Sequence, residues 1–160
     1  MIAALILGRK GSQGLPSKNL WPILNRPLAW YPLTAALQAQ SVDKVFMSTD
    51  DKRLMQLAED NGAEVIERPE HLCTAEALGE DAYGHGYEEI CRRSGEKPEL
   101  LVLLFCNAAT LLSETIDEGV EVLRKNPDYD SAVTVSRYNM YSPVRARRVN
   151  DEGLLEPFVP

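Results

Sequence analysis

Between Gly8 and Asn19 the chain gathers residues suited to holding a phosphate chain. Gly8, Gly11 and Gly14 recur every three residues, and Arg9, Lys10 and Lys18 add positive charge. Glycines at this spacing let the backbone turn sharply and point amide N–H groups at an anion, while the cations supply the charge that a triphosphate requires. The segment is neither of the two common phosphate signatures, because it lacks both a Gly-Lys-Ser/Thr ending and a Gly-x-Gly-x-x-Gly run. Spacing alone therefore leaves two readings open, a phosphate loop and a plain turn.

Such a loop has to be positioned by the apolar run before it. Ile2–Leu7 is uninterrupted and of strand length, as expected of a central parallel strand buried on both faces. Apolar runs then alternate with helical patterns along the chain. This predicts an α/β fold of three layers, a doubly wound and mainly parallel sheet between helices, in a single domain spanning 1–160. Further strands are expected at Lys44–Ser48, Ala63–Ile66, Leu100–Phe105, Ser131–Val135 and Val144–Val149. Pro27–Gln40 reads as a helix in which Pro27 suits the first turn and Pro32 should kink or delay it. Asp50 or Asp51 is expected to cap the next helix, which Gly62 ends. Ala75–Arg93 reads as a helix despite its glycines, and Ser113 opens half a capping box ahead of Ile116, Val120 and Leu123.

In a doubly wound sheet the ligand lies beyond the carboxyl ends of the strands, near the point where strand order reverses. Besides the first loop, that region should receive Ser48-Thr49-Asp50-Asp51, Arg68 and Cys106-Asn107-Ala108-Ala109-Thr110. Each has a structural alternative, since Ser-Thr-Asp-Asp is also a good helix cap and Asn107 suits a turn. Cys73, Cys91 and Cys106 are odd in number and widely spaced, which argues against disulfides and a zinc site. His71 and His85 stand near no nucleophile pattern and read as surface or packing residues.

Composition narrows the partners. Charged residues make up 26% and hydrophobic residues 44%, ordinary for a soluble globular chain, and no apolar stretch approaches the roughly 20 residues of a membrane span. A net charge of −7 argues against a nucleic-acid partner. The N-terminus enters strand directly, with no basic region or cleavage site, so a cytoplasmic location is expected.

Arg9, Ser12, Gly14, Leu15, Pro16, Lys18 and Asn19 resemble, in register, the opening signature of the sugar-activating cytidylyltransferases: Arg-x-x-Ser-x-Gly-hydrophobic-Pro-x-Lys-Asn. That signature is found in CMP-N-acetylneuraminate synthetases and their relatives for other nonulosonic acids. The resemblance extends to Val45-Phe46-Met47-Ser48-Thr49-Asp50, similar to the family's Val-Ser-Thr-Asp strand end. Ile66-Glu67-Arg68-Pro69-Glu70-His71-Leu72 is likewise similar to its Arg-Pro-x-x-Leu segment.

The resemblance implies a Rossmann-like nucleotidyltransferase fold and transfer of CMP from CTP to a sialic-acid-like acidic sugar, with release of pyrophosphate and with Mg²⁺ as cofactor. By position it assigns Arg9 and Lys18 to phosphate as the catalytic cations, and Asn19 and Arg68 to the base. Leu7, Gly8, Gly11, Ser12 and Gln13 complete the nucleotide set, and Asn107 is a candidate for the sugar. It also implies a homodimer with 138–160 as a dimerisation extension. The chain departs from the pattern in four places. Gln13 stands where a second lysine is usual. Phe105-Cys106-Asn107-Ala108-Ala109-Thr110-Leu111 replaces a Gln-Pro-Thr-Ser-Pro-Leu-Arg run, and Cys73-Thr74-Ala75-Glu76-Ala77 replaces a hydroxyl-rich, acidic one. The family's Asp-x-Asp metal site lies further along than Pro160, so the chain looks C-terminally shortened. The metal ligands are therefore unassigned, with Asp50, Asp51 and Glu76 as the available carboxylates. The alternative is a nucleotide-binding module of the same fold that has lost catalysis.

Overall fold

The computed structural model describes residues 1–11, 14–74, 76–135 and 146–158. Strand β1 (Ile2–Leu7) is buried along its whole length, as its unbroken apolar sequence requires. It is followed by a short hairpin, β2 (Pro22–Ile23) and β3 (Arg26–Pro27), and helix α1 (Trp30–Gln38). Next come β4 (Lys44–Thr49), α2 (Lys52–Asp60), β5 (Glu64–Glu67), α3 (Gly79–Ser94), β6 (Leu100–Phe105) and α4 (Ser113–Lys125). A separate hairpin, β7 (Arg147–Val149) with β8 (Leu155–Pro157), closes the described chain.

The main sheet is entirely parallel, in the order β5-β4-β1-β6. Alternation along β1 builds two cores. Ala4 and Ile6 face α1, α2 and α4 through Leu33, Leu54 and Ile116. Ala3, Leu5 and Leu7 face α3 through Ile90 and Tyr83. The three-layer doubly wound arrangement expected from the sequence is thus present. Gly86 lets α3 lie close to β1, since a Cβ there would stand 2.6 Å from Leu5 Cδ2. Chain order reverses at β1: α1 and α2 carry it one way on one face, and α3 carries it back on the other. The crevice between β1 and β6 is the switch point.

Several expectations need correction. The helix expected from Pro27 begins at Trp30, because Arg26–Pro27 is spent on the hairpin, and Pro32 falls in the first turn, where its missing N–H costs nothing. The helix expected from Ala75 begins at Gly79; Ala75 itself lies outside the described residues. Ser113 caps nothing. It is the first residue of α4, its hydroxyl bonds Glu114, and Leu112 holds the cap position without a side-chain bond.

Ser131–Val135 is not a strand, and its Val133 and Val135 are 78% and 91% exposed. Helix α4 packs beside α1, on the α1 side of the sheet. A parallel strand placed by α4 directly outside β6 would therefore reverse the hand of the other crossovers, and right-handed crossovers prevail almost without exception. Among the described residues β6 is accordingly an edge, and Leu103 and Phe105 are exposed despite their apolar run. Of the strand expected at Val144–Val149, Val144 lies outside the described residues and Arg147–Val149 pairs with β8.

Candidate active site

Three loops meet at the carboxyl ends of β1, β4 and β5. The first leaves β1 by prolonging its pairing with β4: Gly8 N–H donates to Ser48 O at 3.1 Å. Cys106 N–H donates to Leu7 O at 3.2 Å on the other side. Gly8 is glycine for packing, because any Cβ there would run into Cys106 Sγ and stand 3.2 Å from Leu54 Cδ1. Gly11 is glycine for conformation, with φ +81° and open space around it.

Beyond Gly8 the loop is held by side chains. Lys10 N–H donates to Asp50 Oδ1 at 2.6 Å, and Asn19 Nδ2 donates to Arg9 O at 3.3 Å across the neck of the loop. Arg9 Nη1 donates to Thr74 O at 2.7 Å and Cys73 O at 3.4 Å, joining the first loop to the segment after β5. The returning end forms a 3-10 turn, Lys18–Leu20, and Arg53 reaches from α2 to Ser17 Oγ at 3.2 Å. Among the described residues the Lys18 ammonium has neither a hydrogen bond nor an ion pair, leaving it available to an anion.

Arg68 is 6% exposed and spends two nitrogens on β4: Nε on Ser48 Oγ at 3.1 Å and Nη2 on Ser48 O at 2.8 Å. Burial pulls its pKa down while Cys73 and Asp50 push it up; arginine starts high enough to remain a cation. Arg68 lines a cleft of about 400 Å³ together with Asp50, Glu67, Pro69, Glu70 and Cys73. That volume falls within the range of small-molecule sites. Cys73 lies at the cleft wall, its thiol pushed up first by burial and then by Asp50. Cys106, packed under Gly8, is pushed up to about 12 by burial.

The structure therefore brings Arg9, Asn19 and Arg68 around one neck of chain, with Leu7 and Gly8 beneath it and Gly11 and Lys18 on the loop. Ser12 and Gln13 lie outside the described residues. Asn107 stands apart from the cleft, exposed at a turn closed by Ala108 N–H on Phe105 O. The adjacent acids after β4 divide their tasks. Asp51 caps α2 by accepting Arg53 N–H at 3.0 Å, and Asp50 reaches the first loop. That second role was readable only as a surplus, one acid more than a cap needs. The carbonyls of Cys73 and Thr74 that receive Arg9 left no signal in the sequence, because any residue supplies them.

Among the described residues no group of three carboxylate, histidine or cysteine side chains stands ready for a metal ion. Asp51 is occupied by its cap and Arg53, and Asp50 by Lys10. A protein-built Mg²⁺ site does not fit these residues. No helix among the described residues is long and apolar enough to cross a membrane.

A family model described as cytidylyltransferase matches residues 3–151. The chain belongs to the cytidylyltransferase family. Among curated relatives it is 31% identical to N-acylneuraminate cytidylyltransferase of Escherichia coli, over 98% of this chain and 36% of that protein. It is 28% identical to a Helicobacter pylori protein named as both a pseudaminic acid cytidylyltransferase and a hydrolase, over 89% of this chain and 27% of that one. The chain thus spans about a third of these relatives. Among solved structures, a CMP:2-keto-3-deoxy-manno-octonic acid synthetase complexed with CTP superposes with TM-score 0.65 at 22% identity, over 79% of this chain and 48% of that one. A Mycobacterium tuberculosis protein in complex with manganese does so at 0.52 and 18%, over 76% and 58%. These likenesses show the nucleotidyltransferase fold.

Proposed function

We propose that this cytidylyltransferase transfers CMP from CTP to a sialic-acid-like nonulosonic acid and releases pyrophosphate. The observation that carries the reading is the junction of two features at the strand ends: the β1 loop with the unpaired Lys18, and the Arg68 cleft, bridged by Arg9. A triphosphate laid along the loop would put its nucleoside toward Arg68. A sugar hydroxyl oxygen would form a bond to the α-phosphorus as the α–β bridging bond breaks; the electron pair leaves on pyrophosphate and the hydroxyl proton goes to solvent. No covalent enzyme intermediate is needed, so catalysis rests on in-line placement and on cations at the leaving group. Arg9 would exchange its carbonyl partners for phosphate oxygens, and Lys18 would meet the outer phosphates. Asn19 and Arg68 are proposed to read the base, Asn19 also holding Arg9 O, and Asn107 is retained as a candidate contact for the sugar.

A divalent cation, Mg²⁺, would arrive with the nucleotide and be held chiefly by its phosphates, since hard cations of this kind bind through one or two carboxylates plus substrate oxygens. No step here is routed through it. The location proposed is the cytoplasm. Residues 138–160 are proposed as a homodimer arm on the domain: their described part exposes Val149, Leu154, Leu155 and Phe158, and an isolated hairpin is marginal in water.

A second reading is a nucleotide-binding module of the same fold, catalytically inactive or incomplete. Calorimetric titration with CTP in Mg²⁺, against UTP and ATP, tests the nucleotide assignment shared by both readings. Selective CTP binding is expected, and its absence refutes it. Pyrophosphate release with N-acetylneuraminate then separates enzyme from module.

A further inference from the structure

We infer that Asp50 is a positioning residue that fixes the start of the nucleotide loop, acting through an acceptor oxygen and not through its charge. The inference deepens the nucleotide reading given above and rests on it. In a parallel ladder one strand donates to its neighbour at every second residue. Here β1 pairs Leu7 with Ser48, and Gly8 N–H takes Ser48 O. The next donor in that rhythm is Lys10 N–H, and its partner would be the backbone oxygen of residue 50. The chain turns into α2 at Asp51, and the Asp50 side chain takes over, its Oδ1 receiving Lys10 N–H at 2.6 Å. The ladder is thus carried one rung further by a carboxylate.

That rung holds the residue it encloses. Arg9 lies between Gly8 and Lys10, both tied to β4 or its extension, and its carbonyl is tied by Asn19. Its guanidinium is consequently presented toward the segment after β5, where it meets Thr74 O and Cys73 O. Releasing Lys10 would free the first turn of the loop and the aim of Arg9 together.

Charge and geometry predict opposite outcomes at this position. A carboxylate next to a triphosphate repels it, so if Asp50 acted through charge, both Asp50→Ala and Asp50→Asn would tighten CTP binding. If it acts as the acceptor for Lys10 N–H, only Asp50→Ala loosens the loop. Asp50→Asn keeps an oxygen in place and removes the repulsion.

The test is calorimetric CTP affinity of the full chain with Mg²⁺, cytidine affinity as control, and hydrogen exchange at the Lys10 amide without ligand. Asp50→Ala is expected to weaken CTP about fivefold, the effect of one modest hydrogen bond, to change cytidine less than twofold and to speed Lys10 exchange. Asp50→Asn should bind CTP at least as tightly as the parent chain. Asp50→Ser, too short to reach Lys10, gives the same readout should the alanine variant fail to fold. Tighter or unchanged CTP binding by the alanine or serine variant overturns the proposal alone, as does equal weakening by Asn and Ala or unchanged Lys10 exchange. A parent chain that binds no CTP overturns the nucleotide reading, and the proposal falls with it.

Discussion

Gly8→Ala should be among the most damaging single-methyl changes in the chain, and the reason lies in packing rather than backbone conformation. Gly8 is absent from the positions with positive φ, so alanine meets no torsional penalty there. Its new methyl would instead overlap Cys106 Sγ and stand 3.2 Å from Leu54 Cδ1 and 3.4 Å from Cys106 Cβ. Cys106 is 1% exposed and Leu54 fully buried, so neither can swing into solvent. Overpacking of a closed core costs about 1–3 kcal/mol. Taking about 2 kcal/mol and a urea slope of about 2 kcal/mol/M, the denaturation midpoint should fall by about 1 M. Cys106→Ala alone removes roughly one methylene-sized group and should cost about 1 kcal/mol. Combined, the two should cost less than their sum by about 1 kcal/mol or more, because the sulfur that causes the clash is gone. Urea denaturation of the four proteins measures all three quantities. A Gly8→Ala midpoint within 0.2 M of the parent, roughly 0.4 kcal/mol at that slope, or strict additivity in the double variant, would refute the packing argument.

Lys18→Ala should weaken CTP far more than cytidine, and equal losses in titration would remove Lys18 from the phosphates. Arg68→Ala should lower stability by about 1.5–3 kcal/mol, since it strips Ser48 of two charged hydrogen bonds, and among folded molecules should narrow the CTP/UTP affinity ratio; an unchanged ratio would leave Arg68 a clamp and not a base reader. The Cys106 thiol, raised from an ordinary value of 9.0 to about 12 in the fold, contributes stability that is intact below pH 9 and lost as pH rises from there toward 12. The expected slope is about 1.4 kcal/mol per pH unit across that window, and it should be absent in Cys106→Ala. Parallel alkaline limbs in the two proteins would contradict it. If the proposed homodimer forms through the β7–β8 hairpin, the parent chain should sediment as a dimer and Leu155→Ser with Phe158→Ser as a monomer; a monomeric parent, or an unchanged distribution in the variant, would rule out the hairpin as a dimer contact.

What the sequence revealed and what it hid divide along a physical line. Ile2–Leu7 was legible because a strand buried in a parallel sheet has to be apolar over its whole run, Lys44–Ser48 was legible from its apolar centre Val45-Phe46-Met47, and Leu100–Phe105 reads as a strand from an apolar run that the fold leaves partly exposed at an edge. A cap after β4 was legible because capping is decided within three residues, although the sequence left Asp50 and Asp51 as equal candidates and the structure gives the role to Asp51. The β2–β3 hairpin was not legible. Its turn uses Leu24 and Asn25 with φ of +46° and +64°, where an Asn-Gly pair would have announced it, and Pro27 read as a helix start. Ser131–Val135 failed for a different reason. Alternating Val133 and Val135 record a capacity for pairing, whereas pairing itself depends on which edge the preceding helix can reach. With α4 packed beside α1, the edge of β6 is closed to that segment by handedness alone. The candidate site follows the same division. Arg9, Lys18 and Arg68 carry their chemistry in their side chains and could be named from their order. The Thr74 carbonyl that holds Arg9 and the Asp50 oxygen that continues the β1–β4 ladder acquire their roles only from the meeting of loops distant in sequence, so their part in aiming Arg9 became visible only with the fold.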